Sequence, residues 1–200
     1  MDAQSNSFVR TLVVIFLVTW VYLAFDVFDR TTWVVENVIM FLGAIYLIAS
    51  YKKEPFSNNA YFLIFIFCLL QTVGAHYTYA LVPAGDWVSD MLGIERNHYD
   101  RLVHFSFGFL LALPLIEILK SQVNYKNTVY KHLLIVLIFF GFGGLYEVIE
   151  WMYAWYNQGN EASDAFLGSQ GDIWDAQKDI FLAGLGAWLY LLFFTPKTQQ

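Results

Sequence analysis

The sequence contains one cysteine and few charged residues. The lone cysteine, Cys68, excludes an intrachain disulfide. Charged residues make up 14% of the 200 positions, whereas soluble domains carry about 25%, so the chain cannot cover itself with a polar surface. The eleven lysines and arginines form no basic cluster and the formal net charge is −6, so no nucleic-acid partner is expected.

Hydrophobic residues, 58% of the chain, occur in long blocks. A helix needs about 20 mostly apolar residues to cross about 30 Å of hydrocarbon, and six blocks approach that length. In lipid every backbone polar group must be paired within its own segment, which favours helices. We therefore predict an all-α polytopic membrane bundle in a single domain over residues 1–200. The predicted spans are 11–28, 33–50, 61–82, 102–119, 132–156 and 176–194.

Glycines are concentrated in the last two predicted spans. Small residues let the backbones of two membrane helices approach closely. We therefore expect the fifth and sixth spans to pack against each other through these positions. They are Gly141, Gly143, Gly144, Gly184 and Gly186.

Positive charges are distributed unequally between the two sides of the predicted bundle. Seven of the eleven lysines and arginines fall on the side that holds both termini, and four fall on the opposite side. Because cytoplasmic loops carry an excess of lysine and arginine, we expect both termini to be cytoplasmic. The two longest connections, 83–101 and 157–175, then face outward.

Several ionisable residues fall near the predicted outer ends of the spans. Such a side chain in the middle of a membrane helix costs about 2.5–3.5 kcal/mol on insertion scales, so each needs a physical reason. His76, His104, Glu147 and Asp179 each lie fifteen residues from the cytoplasmic end of a different span. With the rise of an α-helix, this places all four about 22 Å up the bundle. We expect a buried pocket at this level.

Acidic residues outnumber basic residues in the predicted outer half. Glu147 and Glu150 lie one helical turn apart and repel each other unless protons, a cation or basic residues intervene. The basic residues of this half are Arg96, Arg101, Lys178 and the histidines, against eight or more acids. This imbalance predicts a bound cation or protonated carboxyl groups.

Four runs of sequence are distinctive: HYTY at 76–79, RNHYDRLVH at 96–104, EVIEW at 147–151 and GSQGDIWDAQKD at 168–179. They resemble the YjdF-like family of bacterial inner-membrane proteins. The resemblance covers the chain from the second span to the sixth. It implies a small multi-pass protein of the bacterial inner membrane, and it supplies no activity, substrate or catalytic residue. A looser similarity to VanZ-like membrane proteins, in the D-R-x-x-H run at 100–104, carries no function, because likeness of fold does not transfer one.

The first functional hypothesis is a divalent metal site at the outer end. Mixed imidazole and carboxylate ligands suit Mn, Fe or Zn, and an all-carboxylate subset suits Mg or Ca. Two further aspartates precede the start of predicted spans, where a carboxylate commonly caps free N–H groups of the helix. Each could therefore be either a helix cap or a metal ligand. The candidate ligands are His76, His104, Glu147 and Asp179, and the two further aspartates are Asp100 and Asp172.

Catalysis at the same pocket is an extension of this hypothesis. Glu150 or Asp175 could act as a general base on a metal-bound water. Because the pocket opens at head-group depth, the expected ligand is a lipid or a lipid-linked molecule. Whether the chain is an enzyme stays open at this point, and so does its oligomeric state.

Two other classes of function compete with the metal hypothesis. A non-catalytic scaffold or partner subunit would use the polar residues as internal glue, so removing their charge would only destabilise the bundle. A proton or cation transporter would need ionisable groups along its whole path. The cytoplasmic halves of the spans contain almost none, and no inverted repeat is visible. Transport therefore ranks below the metal site and the scaffold.

Overall fold

The computed structural model describes residues 3–123, 127–157 and 167–195. These residues form seven helices and no strand, and six of the helices are long and apolar enough to cross a membrane. The predicted all-α bundle with six spans is therefore confirmed, and the orientation of the termini stays a prediction. In chain order the helices are α1 (Ala3–Leu23), α2 (Arg30–Ser50), α3 (Asn58–Tyr77), α4 (Pro83–Leu92), α5 (Tyr99–Gln122), α6 (Thr128–Tyr156) and α7 (Asp175–Phe194).

The helix ends lie at polar caps and turns rather than at the limits of the apolar blocks. The helix α1 ends at Leu23, although the first predicted span continues to residue 28. Asp29 then caps α2, because its Oδ1 accepts a 2.7 Å hydrogen bond from the Thr32 N–H. Ser57 caps α3 in the same way, and Thr78, with a φ of 60°, ends it. The helices are therefore shifted by several residues from the predicted spans.

The short helix α4 lies within a segment that was predicted only as a connection. Pro83 occupies its first turn and Gly93, with a φ of 65°, ends it, which are the usual positions of these residues. One face of the helix is buried at Gly85 and Ser89, whereas Trp87 on the opposite face is 65% exposed. A short amphipathic helix with an exposed tryptophan, between two spans, is typical of the membrane interface.

The closest helix contact joins α5 and α7. A Cβ added at Gly108 of α5 would lie 1.8 Å from the Ala183 carbonyl oxygen of α7. A Cβ added at Gly186 of α7 would lie 2.2 Å from the Phe105 carbonyl oxygen of α5. Because real side chains cannot approach so closely, the two backbones meet only where both helices have glycine.

The predicted contact between the fifth and sixth spans, now α6 and α7, is present but looser. A Cβ at Gly143 would lie 3.3 Å from the Ala183 Cβ, and Gly184 leaves room for the ring of Phe140 on α6. Gly141 has nothing within 4 Å in the described part of the chain. The closer contact of α7 with α5 was not predicted, because it depends on Gly108 in the fourth predicted span.

The two ends of the bundle have different interiors. Near the termini the interior is apolar and includes Ile135, Phe139 and Ala187. At the opposite end α5 and α7 begin and α3 and α6 end, because successive spans run in opposite directions. Most of the buried charged residues lie there, and this end is called the polar end below.

A methyl group added at Gly108 should destabilise the bundle. The variant Gly108→Ala places a Cβ against the Ala183 carbonyl, and overpacking of this kind costs about 1–3 kcal/mol of unfolding free energy. Gly43→Ala is the matched control, because nothing lies within 4 Å of that position in the described structure. Reversible unfolding of the purified protein in detergent measures both variants. Equal unfolding free energies for Gly108→Ala and the wild type would contradict the close α5–α7 contact.

Candidate metal centre

The helix α5 places an aspartate and a histidine at the polar end. The helix begins at Tyr99, whose N–H donates a 3.0 Å hydrogen bond to Asn97 Oδ1, so Asp100 lies in the first turn. His104 follows four residues later and therefore shares its helix face. Both side chains are buried.

The helices α6 and α7 bring four carboxylates to the same place. Two glutamates come from the last third of α6, and two aspartates from the first two turns of α7. Together with the two residues of α5 they form a set that is called the carboxylate–histidine cluster below. Its members are Asp100, His104, Glu147, Glu150, Asp175 and Asp179.

The imidazole of His104 lies between two carboxylates. Its Nε2 is 3.4 Å from Glu147 Oε1 and 3.6 Å from Asp100 Oδ1. Charge-assisted hydrogen bonds between nitrogen and carboxylate are shorter, about 2.7–2.9 Å. The nitrogen therefore faces both oxygens at a distance longer than an optimal hydrogen bond.

The cluster contains two sets of three residues whose ligand atoms lie within 4.8 Å of one another. One set combines an imidazole with two carboxylates, and the other consists of carboxylates alone. All members of both sets are buried. The first set is Asp100, His104 and Glu150, and the second is Asp100, Asp175 and Asp179. Asp100 belongs to both.

Two carboxylate oxygens of the cluster have no hydrogen-bond partner within the described residues. They are Glu147 Oε1 and Asp179 Oδ1, and both are inaccessible to solvent. A buried polar atom without a partner is uncommon in folded proteins, because its desolvation is not compensated. Each of these oxygens therefore lacks the hydrogen bond that a buried carboxylate oxygen ordinarily has.

Arg96 joins the loop before α7 to the loop before α5. Its guanidinium donates to the carbonyl oxygens of Ser169 and Gly168 over 2.5 and 3.0 Å, and to Asp175 Oδ1 over 2.5 Å. The Asn97 N–H also donates to Gln170 Oε1 at 3.0 Å, and Gln170 Nε2 donates to the Asn97 carbonyl at 2.9 Å. The two loops are thus held together beside the cluster.

Arg101 connects the cluster to its rim. Its guanidinium donates to Asp172 Oδ2 over 2.5 Å and to Asp175 Oδ1 over 3.2 Å. Lys178 also donates to Asp172 Oδ2, over 2.5 Å. The hydrogen bonds from Lys178 and from the Trp174 N–H hold the pKa of Asp172 well below its ordinary value. Asp172 is therefore an ionised partner of two cations.

His98 lies at the same rim, in the loop before α5. Partial burial, followed by the charges of Arg101 and Arg96, lowers the pKa of its imidazole. Its Nδ1 is 3.3 Å from a nitrogen of the Arg101 guanidinium. A neutral imidazole can accept that bond, so His98 helps to position Arg101.

The structure brings most of the predicted site residues together, with two exceptions. His104, Glu147 and Asp179 of the predicted ligands lie in the cluster, with Asp100 and both predicted bases. Asp172 lies at the rim and belongs to neither set of three. His76 is also in neither set, and its Nδ1 is 2.8 Å from the Leu23 carbonyl of α1.

Glu36 is a buried acid of the polar end that is not among the predicted site residues. It lies on α2 and is 2% exposed. Its Oε2 accepts hydrogen bonds from Tyr146 and Tyr79 over 2.5 and 3.1 Å, and from Gln71 over 3.3 Å. The Tyr146 ring packs edge-on against His104, with 5.8 Å between centroids. Its sequence signal was visible, because Glu36 is an acid inside an apolar block.

Comparison with known proteins places this architecture among membrane proteins. The model of a family described as "Predicted membrane protein (DUF2238)" matches residues 8–199, which include the whole cluster. The chain is 36% identical over 173 residues to a protein of Escherichia coli (strain K12) called "Inner membrane protein YjdF". The match covers 86% of this chain and 82% of that protein. No solved structure matches.

Removing the Tyr146 hydroxyl should destabilise the polar end. Tyr146→Phe deletes the shortest hydrogen bond to the buried Glu36, and loss of such a bond costs about 1–3 kcal/mol of unfolding free energy. Tyr22→Phe is the matched control, because that side chain is 76% exposed. Reversible unfolding in detergent compares the two. An unchanged unfolding midpoint for Tyr146→Phe would show that Glu36 does not depend on this donor.

Proposed function

The chain belongs to the DUF2238 family of predicted membrane proteins, and we propose that its carboxylate–histidine cluster binds a divalent cation. We further propose that the cation site acts on a lipid or lipid-linked molecule at head-group depth. The observation that carries the first part is the spacing of ligand atoms around His104. The second part rests on the position of the cluster along the spans.

The spacing around His104 fits a coordination shell better than an ion pair. An ion bound tetrahedrally at about 2.1 Å from each ligand atom separates those atoms by about 3.4 Å. The distances from His104 Nε2 to Glu147 and Asp100 are 3.4 and 3.6 Å. A protonated imidazole would instead favour contacts of about 2.7–2.9 Å. Glu147 Oε1 also has no hydrogen-bond partner, which is consistent with a metal ligand rather than a member of an ion pair.

The charge of the cluster also favours a cation. Within the described residues, two guanidinium groups contact the five carboxylates of the cluster, and both of them, Arg96 and Arg101, contact Asp175. Three negative charges then stay uncompensated when all five carboxylates are ionised and His104 is neutral. In surroundings of low dielectric constant, like charges so close together strongly oppose ionisation. One divalent cation would offset two of the three charges.

The donor set limits the identity of the cation. An imidazole nitrogen with several carboxylates suits Mn, Fe or Zn, whereas Mg prefers oxygen ligands alone. Asp100, His104, Glu147 and Glu150 would hold the ion. A divalent cation supplies Lewis acidity and makes coordinated water more acidic. Asp175, which accepts from Arg96 and Arg101, would link both guanidinium groups to the site.

The position of the cluster favours a lipid as the ligand. Trp151 directly follows Glu150 on α6, and Trp174 directly precedes Asp175. Both indole rings are exposed on the surface of the bundle. Tryptophan is enriched at the level of the lipid head groups. A polar group of a lipid could therefore reach the cluster from the surrounding membrane.

A structural role for the cluster is the second candidate. It is favoured by the contacts of Arg96 and Arg101, which link the cluster to two loops. Under this alternative the charges would serve to assemble the polar end and no cation would be needed. Metal binding separates the two candidates directly.

The purified protein should bind a divalent cation in a manner that depends on His104 and Glu147. We expect His104→Ala and Glu147→Ala each to weaken binding at least tenfold, because even the loss of an outer-shell residue typically costs about 10–100-fold in metal affinity. His132→Ala is the control, since His132 lies at the other end of the bundle beside Thr195. Elemental analysis and competition with a chelator give content and affinity. Absence of metal from repeated wild-type preparations, and no binding on titration with Mn²⁺, Fe²⁺ or Zn²⁺, would refute the proposal.

A lipid-directed activity should depend on the metal and on Glu150. Wild-type protein in vesicles of total bacterial lipid with Mn²⁺ should change the amount of one lipid species, as measured by mass spectrometry. We expect Glu150→Gln to slow this change by about 10–100-fold or more, because the variant removes a carboxylate that would hold the ion. Glu95→Gln, at an exposed loop position, is the control. Identical lipid profiles with and without a chelator would exclude lipid chemistry while leaving cation binding intact.

A further inference from the structure

Asp100 is a member of both sets of three potential ligands in the cluster. A carboxylate has two oxygens and can bind two ions at once. We propose that the cluster has a second divalent-cation position, with Asp100 as the ligand shared between the two ions. This inference rests on the proposed cation binding and extends it from one ion to a pair.

The two positions would have different ligands. The first combines Asp100 with His104 and Glu150, and the second combines it with Asp175 and Asp179. Ions in paired sites lie about 3.5–4 Å apart, and paired sites occur in enzymes that act on phosphate esters and related substrates. Because the second position has only oxygen donors, it suits hard cations such as Mg²⁺ or Mn²⁺.

Each position has a buried carboxylate oxygen without a partner in it or beside it. Glu147 Oε1 is not in either set of three, but it lies 3.4 Å from His104 Nε2 and therefore borders the first position. Asp179 Oδ1 belongs to the second, and the residue is only 1% exposed. These two oxygens come from different helices, so one ion bound at the first position leaves the Asp179 oxygen unexplained.

Carboxyl groups also meet in pairs, one pair at each position. Glu147 and Glu150 lie one helical turn apart on α6, and Asp175 and Asp179 lie four residues apart on α7, so each pair shares a helix face. Arg96 and Arg101 both donate to the same oxygen of Asp175, Oδ1. Two close carboxylates repel each other unless a proton or a cation lies between them. A cation at each position would relieve both pairs.

The charge of the cluster changes sign with the second ion. Three uncompensated negative charges become one when a single divalent cation binds. A second cation turns that remaining charge into one positive charge. The pair would therefore attract an anionic group, whereas a single ion would not.

Titration of metal-free protein with Mn²⁺ alone tests the second position. We expect two ions per wild-type chain, with the electron paramagnetic resonance signal of a spin-coupled pair. Asp179→Asn should bind one ion and give the signal of isolated Mn²⁺. Asp90→Asn, an exposed position on α4, should behave as the wild type. Asp100→Asn should weaken both positions.

The outcomes separate this inference from the proposed function. One ion per wild-type chain, unaffected by Asp179→Asn, would overturn the second position and leave single-cation binding in place. No ion in the wild type would refute both. Thermal unfolding of each variant identifies any that fails to fold, and the wild-type stoichiometry decides the question without the variants.

Discussion

The organisation of this protein depends on the cost of placing carboxylates in surroundings of low dielectric constant. Five carboxylates and a histidine lie together at one end of an apolar bundle, and each needs a compensating charge, donor or proton. Arginines from one loop and one helix supply part of the compensation. The carboxylate charge that these arginines leave uncompensated is the physical reason for proposing a bound cation. Among the described residues, the interior of the other half of the bundle is formed mainly by apolar side chains.

The loops at the polar end serve the same requirement. Arg96 reaches two carbonyl oxygens of the loop before α7 as well as an aspartate of the cluster. The amide pair of Asn97 and Gln170 fixes the same two loops to each other. Without these backbone contacts, the position of the Arg96 guanidinium relative to the cluster would vary. Here the backbone contacts determine where the guanidinium lies, so charge compensation and loop structure are one feature.

The sequence allowed the spans and the depth of the polar residues to be predicted, because block length and helical rise determine both. Rotation about the helix axis could not be predicted in this way. His76 and His104 have the same predicted depth, yet His76 turns toward the Leu23 carbonyl and only His104 joins the cluster. Glu36 is visible in the sequence as an acid in an apolar block, but its partners Tyr79 and Tyr146 could not be predicted, because they come from distant segments. The helix α4 was missed because its ten residues are too short for a span.

The glycine contact between α5 and α7 determines which part of the cluster can adapt. Where Gly108 and Gly186 allow backbone to meet backbone, the two helices can neither slide nor separate without losing that fit. Asp100, His104, Asp175 and Asp179 are therefore carried on one stiff frame. The glutamates come from α6, which packs on α7 through side chains instead, and they have the longer and more flexible side chains. A ligand of a different size would be accommodated by a shift of α6. The two glutamates on α6 are therefore the members of the cluster that can move most easily.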